Sequence, residues 1–398
     1  MFQFNKFVLV LFFSIFSGCS FFQSNDLKPT SLKKINKSFD LDVVWKKNVG
    51  KIINKKSNSG SFTPKIYKDK VITSTSNGLV SILNINNGEI YKKIPLGLNL
   101  LSSASYSELE EKAFLSAVTE SGELIFFQVD KGFIWKVRLD GISRVSPEIN
   151  GSIITVKYTN NKIYGYDFDT GKMMWNINRR TPSLVLHGQS GMTSFASSNN
   201  YLSKENFKSH LAVNFTGGRA MMIDSRTGSL EWESRVAYPK GVNEVERIID
   251  LIGQPTIEDE EVCSTVYQTK LICLNLQDGT INWSQNFKAI KPAVFTSPYV
   301  VALNFNDELV AFDRVSEKKI WENNDLLFRY LSAPKIWNNF VWVSDFEGKL
   351  HGLSLENGQI EARLNLGSGK LAGDLLVAET GILVQKENGN LFLIRNQR

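Results

Sequence analysis

One phrase recurs along this chain: an Asp or Asn, a glycine four residues later, and a tryptophan four residues beyond that. It reads DFDTGKMMWNI at 167–177, DSRTGSLEWES at 224–234 and NLQDGTINWSQ at 275–285, ending on Trp175, Trp232 and Trp283. Looser copies end on Trp45, Trp135 and Trp321, and two more keep the frame with Tyr91 and Ala362 in the last place. The eight positions are 38 to 57 residues apart, and six of the eight tryptophans in the chain occupy them. A repeat of this length matches a four-stranded propeller blade, whereas a β-helix has a shorter and more regular period.

Each phrase reads as strand, tight turn, strand. KIYGYDFD (162–169) alternates, Thr170-Gly171 turns the chain, and KMMWNI continues. Glycine tolerates the positive φ that such turns need. The tryptophan then has a large flat surface to bury between blades, and no blade can cover both of its faces alone. Between the phrases lie hairpin signals, such as Asn77-Gly78 and Asn87-Gly88 within KIYKDKVITSTSNGLVSILNINNG (65–88). No useful amphipathic helix follows residue 57. The expected fold is therefore all-β: an eight-bladed β-propeller of four-stranded antiparallel blades over residues 40–398. DLDVVWKKNVG (40–50) is a fourth strand without a blade before it, and 375–396 supplies inner strands without a fourth. Pairing the two ends in one shared blade closes the ring and satisfies both edges.

The first residues look like an address. Lys6 precedes the apolar run FVLVLFFSIF, which ends in Phe16-Ser17-Gly18-Cys19. A short apolar stretch followed by small residues is a secretory signal, too short for a confident spanning helix. Residues 1–18 are expected to be the signal peptide and Cys19 the site of lipidation; a secreted chain with a chance cysteine is the other reading. Residues 19–39 are polar and unpatterned and are expected to form a flexible basic tether.

Charge does not point to nucleic acid. Of the net +6, residues 27–56 alone carry +7, from nine lysines against Asp40 and Asp42. The remainder of the ring is close to neutral and has no basic stripe with interleaved aromatics. The lysine-rich stretch suits either a solvated linker or contact with anionic headgroups. Cys263 and Cys273 sit on the two arms of an expected hairpin; an export signal permits a disulfide, and two buried thiols fit as well. No metal-ligand spacing, nucleophile motif or cofactor loop appears, and no general acid or base can be nominated. Asp167, Asp169 and Asp224 flank turns, where aspartate caps local amides.

Binding residues tend to reside on loops over a rigid scaffold. The connections NRRTPSLVLHGQSGM (178–192), AYPKGVNEVERIIDLIGQP (237–255) and NNDLLFRYLSAP (323–334) leave equivalent positions and should share one face. The third places Leu326, Leu327, Phe328, Arg329 and Tyr330 there. Leu184 and Leu186 read either as contact residues or as anchors of their own loop. SSNNYLSKENFKS (197–209) reads as an insertion within a blade.

The Gly-x-x-x-Trp phrase resembles the PQQ-like propeller repeat. Repeat, lipoprotein signal and the stretches PSLVLHGQS (182–190) and 326–358 together make the chain, over 40–396, resemble the BamB family of outer-membrane β-barrel assembly lipoproteins. The resemblance implies a non-enzymatic scaffold without cofactor or metal, anchored at the periplasmic face of the outer membrane. It also implies binding to the POTRA domains of BamA, and through BamA to the other Bam subunits. Beside what the resemblance implies, exposed strand edges or loops are a route by which unfolded outer-membrane proteins would be guided through β-augmentation, an expectation tied to no particular residue. The family's Leu-x-Leu-Arg element falls on Leu184, Leu186 and His187, with histidine in place of arginine. Its Asp-x-Asp element falls on Asp250 and Ile252, so only the first aspartate is kept. These departures imply a more apolar contact, or one shifted to Glu244, Glu246 or Arg247, since histidine lacks the arginine fork. Two other readings stand beside this one. A PQQ-dependent periplasmic dehydrogenase would need calcium ligands and adjacent cysteines; another cell-envelope propeller would bind a different protein.

Overall fold

Runs rich in β-branched residues, closed by Asn-Gly and Asp-Gly turns, fold into short strands that pair with their neighbours in sequence. The computed structural model describes residues 27–52, 61–186, 190–196 and 209–397. The signal segment, Cys19, His187 and most of the 197–209 insertion lie outside the described residues. The strands form eight four-stranded antiparallel sheets. Blade 1 spans 65–95, blade 2 105–138, blade 3 148–178, blade 4 192–235, blade 5 251–286, blade 6 294–323 and blade 7 335–365. Blade 8 is composite: β30 (Leu376–Ala378), β31 (Gly381–Gln385) and β32 (Asn390–Asn396) are joined by β1 (Leu41–Asn48) from the other end of the chain. β1 runs antiparallel to β32, Leu41 opposite Asn396 and Asn48 opposite Asn390. The expected closure by shared strands is the observed one.

The repeated phrase works between blades. Each tryptophan leaves its own outer strand and lies on the turn glycine of the next blade. A Cβ at Gly171 would stand 2.7 Å from Trp135, one at Gly228 2.6 Å from Trp175, and one at Gly279 2.5 Å from Trp232. Trp45 meets Gly88 and Trp321 meets Gly358 in the same way. In these five pairs the indole Nε1 donates to a carbonyl of the receiving blade: Trp45 to Ile85, Trp135 to Phe168, Trp175 to Ser225, Trp232 to Leu276 and Trp321 to Leu355. The first residue of the phrase builds the turn. Asp167 Oδ1 accepts from Thr170 N, Asp224 Oδ1 from Arg226 N and Asn275 Oδ1 from Gln277 N. These are the amide-capping turns expected of those aspartates.

The exceptions follow the same logic. Blade 6 has Glu317 where the glycine belongs, at φ 56°, and the arriving Trp283 is the one whose Nε1 lacks a hydrogen-bond partner. Arg314 lies 5.9 Å over its ring instead. Ala362 of blade 7 faces blade 8, where the two outer strands come from opposite chain ends and no turn exists to receive an indole.

Cys263 and Cys273 are opposite each other on adjacent strands of blade 5 and form a disulfide. Of the two readings left open for this pair, the disulfide is the one found.

The segment before β1 departs from expectation. Residues 27–39 do not stand free but lie along blades 6 and 7. Thr30 N donates to Leu327 O at 3.0 Å, and Ser38 N to Glu361 O at 3.1 Å. Arg329 Nη1 donates to Thr30 O and Arg363 Nη1 to Lys33 O, each at 2.8 Å. Phe39 packs edge-on against Phe340 at 4.7 Å. Two arginines reading main-chain carbonyls, with an aromatic seat at the end, hold this strap to the ring.

Candidate partner-docking face

Outer strands all end on one side of the ring, where the connections to the next blade cross the turns between each blade's second and third strands. Arg179 N donates to Asn161 O and Val236 N to Gly218 O, fastening a departing connection to its own blade. The connections that leave at 179, 236 and 324 therefore share a face over their described residues, as expected.

The first two form one unit. Asp250 is buried, and its carboxylate accepts from Leu186 N at 2.6 Å and Gly217 N at 2.8 Å. Ser183 Oγ donates to Glu244 Oε2 at 2.9 Å. Pro182 seats on Gly217, where a Cβ would come within 2.9 Å of its ring. The two loops are thus clamped to each other and to the 215–218 turn. Leu184 is 41% exposed, while Leu186 is half-buried against the blades. Of the two leucines, the first presents itself and the second anchors.

Asp250, expected at the contact, is buried, and so is Ile252 two residues on. Asp250 orders the 182–186 loop from beneath and is not itself available to a partner in this arrangement. Glu246 is turned inward on its own loop, accepting from Val242 N at 2.8 Å, while Asn243 Oδ1 accepts from Glu246 N at 2.9 Å. Arg247 Nε donates to Gly241 O, and its guanidinium lies 3.6 Å from Glu244. Glu244, Glu246 and Arg247 therefore shape the 240–250 loop while remaining exposed on it. Sequence reasoning missed the apolar groups this loop displays: Val242, 94% exposed, with Val245 and Tyr238. A valine repeated at three-residue spacing in an otherwise charged loop was the available signal. Arg235 stacks over Tyr238 at 4.6 Å.

The third connection is less a surface than expected. Leu326 and Arg329 are buried, and only Tyr330 is fully displayed, at 76% exposure. Asp307 holds this loop as Asp250 holds the first, accepting from Tyr330 N at 2.6 Å and Leu331 N at 3.1 Å. Burial pushes the Asp307 carboxyl up, opposed by those amides. Arg329 turns under the strap to Asp345, 2.9 Å away, and also reaches Glu347. Asp345 in turn meets His351 Nε2 at 3.1 Å, and Arg363 Nε donates to His351 Nδ1. Despite burial, the bonds from His351, the Lys349 amide and Arg329 hold Asp345 down at about 2.

Among the described residues, the one cluster able to offer three metal ligands is Glu261, Cys263 and Cys273. Its thiols are joined to each other, and Glu261 is ion-paired with Arg314.

Known proteins agree with this architecture. The family model described as outer membrane protein assembly factor BamB matches residues 102–323. The protein of that name from Bordetella pertussis is 27% identical over 384 residues, covering 95% of this chain and 94% of that one. The crystal structure of BamB from Moraxella catarrhalis superposes with a TM-score of 0.73 at 22% identity, covering 89% of this chain and 99% of that chain. The quinohemoprotein alcohol dehydrogenase of Comamonas testosteroni shares the propeller at TM-score 0.60 but only 11% identity, with 91% of this chain and 78% of that chain covered. A family match over more than half the chain, together with full-length relatives bearing the same description, places this protein: the chain belongs to the BamB family of outer membrane protein assembly factors.

Proposed function

We propose that this ring is a non-enzymatic scaffold of the outer-membrane β-barrel assembly complex, and that its 182–186 and 238–250 loops dock the POTRA domains of BamA. The observation that carries the site is the clamp: Asp250 and the Ser183–Glu244 bond fix two long connections in one arrangement. That arrangement presents Leu184, Tyr238, Val242 and Val245 to solvent. Preordered loops bind with less ordering cost than free ones. Leu186 and Asp250 act as positioning residues; Glu244 and Arg247 form the polar rim, and His187 belongs to the same loop. Other Bam subunits are reached through BamA. Lipidation at Cys19 would hold the ring at the periplasmic face of the outer membrane, and unfolded outer-membrane proteins remain a second class of client.

The test is binding of cognate BamA POTRA domains by the detergent-solubilised full chain, wild type against Leu184→Asp/Val242→Asp. Both positions are exposed, so the double variant should fold. Affinity should fall at least tenfold, about 1.4 kcal/mol. Equal binding by the variant would reject the face, and no binding by folded wild type would reject the partner.

A further inference from the structure

The two arginines that hold the strap are both routed through one buried pair. On blade 7, β28 (Lys349–Ser354) carries His351, and β29 (Ile360–Asn365) carries Arg363 directly opposite it. Arg363 Nη1 donates to the strap carbonyl of Lys33 at 2.8 Å, and its Nε donates to His351 Nδ1 at 3.1 Å. Arg329 repeats the arrangement: Nη1 donates to Thr30 O at 2.8 Å and Nε to Asp345 Oδ2 at 2.9 Å. His351 Nε2 lies 3.1 Å from that same oxygen. His351 is 0% exposed and Asp345 5%, so neither can turn to solvent when its partner changes. The other charges around the ring are already engaged. Glu347 holds Arg329 and, at 2.7 Å, Lys349; Asp325 on the 324–334 connection holds Lys33 at 2.7 Å.

With Nδ1 accepting from Arg363, the neutral imidazole carries its proton on Nε2, toward Asp345. A second proton can go only on Nδ1, where it meets the Arg363 Nε–H. The imidazolium then repels the guanidinium. It also binds Asp345 Oδ2 more strongly, in competition with Arg329. Asp345 stays ionised, held at about 2, while burial lowers the His351 pKa below its usual value with Asp345 opposing. The imidazole is thus neutral at pH 7.5 and gains its proton only as pH falls. We propose that the strap is a proton-released clasp: charging His351 ejects Arg363 and with it the hold on Lys33, so that residues 31–37 lift from blade 7 while Phe39 keeps its seat on Phe340. Acid frees more of the chain ahead of β1, and neutral pH fastens it to the ring again.

The test puts a nitroxide on Lys34→Cys, an exposed strap position, in the detergent-solubilised full chain. Its mobility is followed from pH 7.5 to 5, with the wild-type chain labelled in parallel as background and near-ultraviolet circular dichroism reporting on the ring. The mobile fraction is expected to grow with a midpoint below the ordinary histidine value of about 6.5. The mobile-to-immobile ratio should rise by up to about tenfold per pH unit, the limit for one proton, with the dichroism unchanged. His351→Gln, added to the labelled chain, offers an amide oxygen that accepts from Arg363 and never charges; the label should stay immobile throughout. Arg363→Gln changes a half-buried residue, should free the label already at pH 7.5 and decides the matter if His351→Gln does not fold. Constant mobility without the second substitution, an equal pH response in His351→Gln, an immobile label in Arg363→Gln, or mobility gained only as the ring itself unfolds overturns the proposal.

Discussion

His351 shows how much a single buried ring can decide. Arg363 Nε–H must donate to Nδ1, so Nδ1 is the acceptor and the proton resides on Nε2, facing Asp345. Protonating the ring would set two N–H groups against each other and break the Arg363 contact. Burial also lowers the His351 pKa, with Asp345 opposing and Arg363 and Arg329 assisting. The folded state therefore resists a proton that the unfolded chain takes up below about 6.5. Stability should be full above that pH and fall as pH drops, with a limiting slope of about 1.4 kcal/mol per unit. Asp345, held at about 2, adds its own loss only below the ordinary carboxylate range. Thermal unfolding from pH 7.5 to 5 checks this, and His351→Gln should flatten the profile. None of this network was legible in the sequence. Arg329 looked like an exposed loop residue because its cover, Thr30, is 299 residues away. Asp250 looked like a surface acid because its amide partners lie 64 and 33 residues off.

At the scale of the element, the phrase was readable because everything it needs is local or one period away. Asx, glycine and tryptophan fall at fixed spacing, and the receiving turn is the next copy. What the spacing did not reveal is direction: each of the five glycines that receives an indole takes it from the preceding blade, not its own. This yields a paired test. Gly279→Ala puts a Cβ against the Trp232 indole at φ +71°, whereas Gly97→Ala at φ +70° meets nothing. The second should cost about 1 kcal/mol for backbone strain. The first adds an overpacking penalty and should reach about 3 kcal/mol, read from urea unfolding midpoints. The loop clamps stayed hidden, because carboxylates that hold amides leave no periodic mark.

Across the whole molecule, ring closure was visible from two orphan half-blades, since a strand without a sheet and a sheet short of a strand explain each other. Deleting residues 1–49 would remove β1 and the Trp45 that seats on Gly88. It would also expose β32 as an edge. The loss should exceed about 5 kcal/mol, above most single-residue core lesions, and calorimetry should show a broadened transition with association on a sizing column. The strap over blades 6 and 7 has a different consequence, one of reach. With an anchor at Cys19, a chain free as far as Asp40 could wander roughly 75 Å, whereas one clipped at Thr30 is limited to roughly 40 Å. Were Cys19 lipidated as proposed, this shortening would raise the local concentration of the ring near its mooring roughly two- to threefold, and the ring would pivot about the rim where blades 6 and 7 meet.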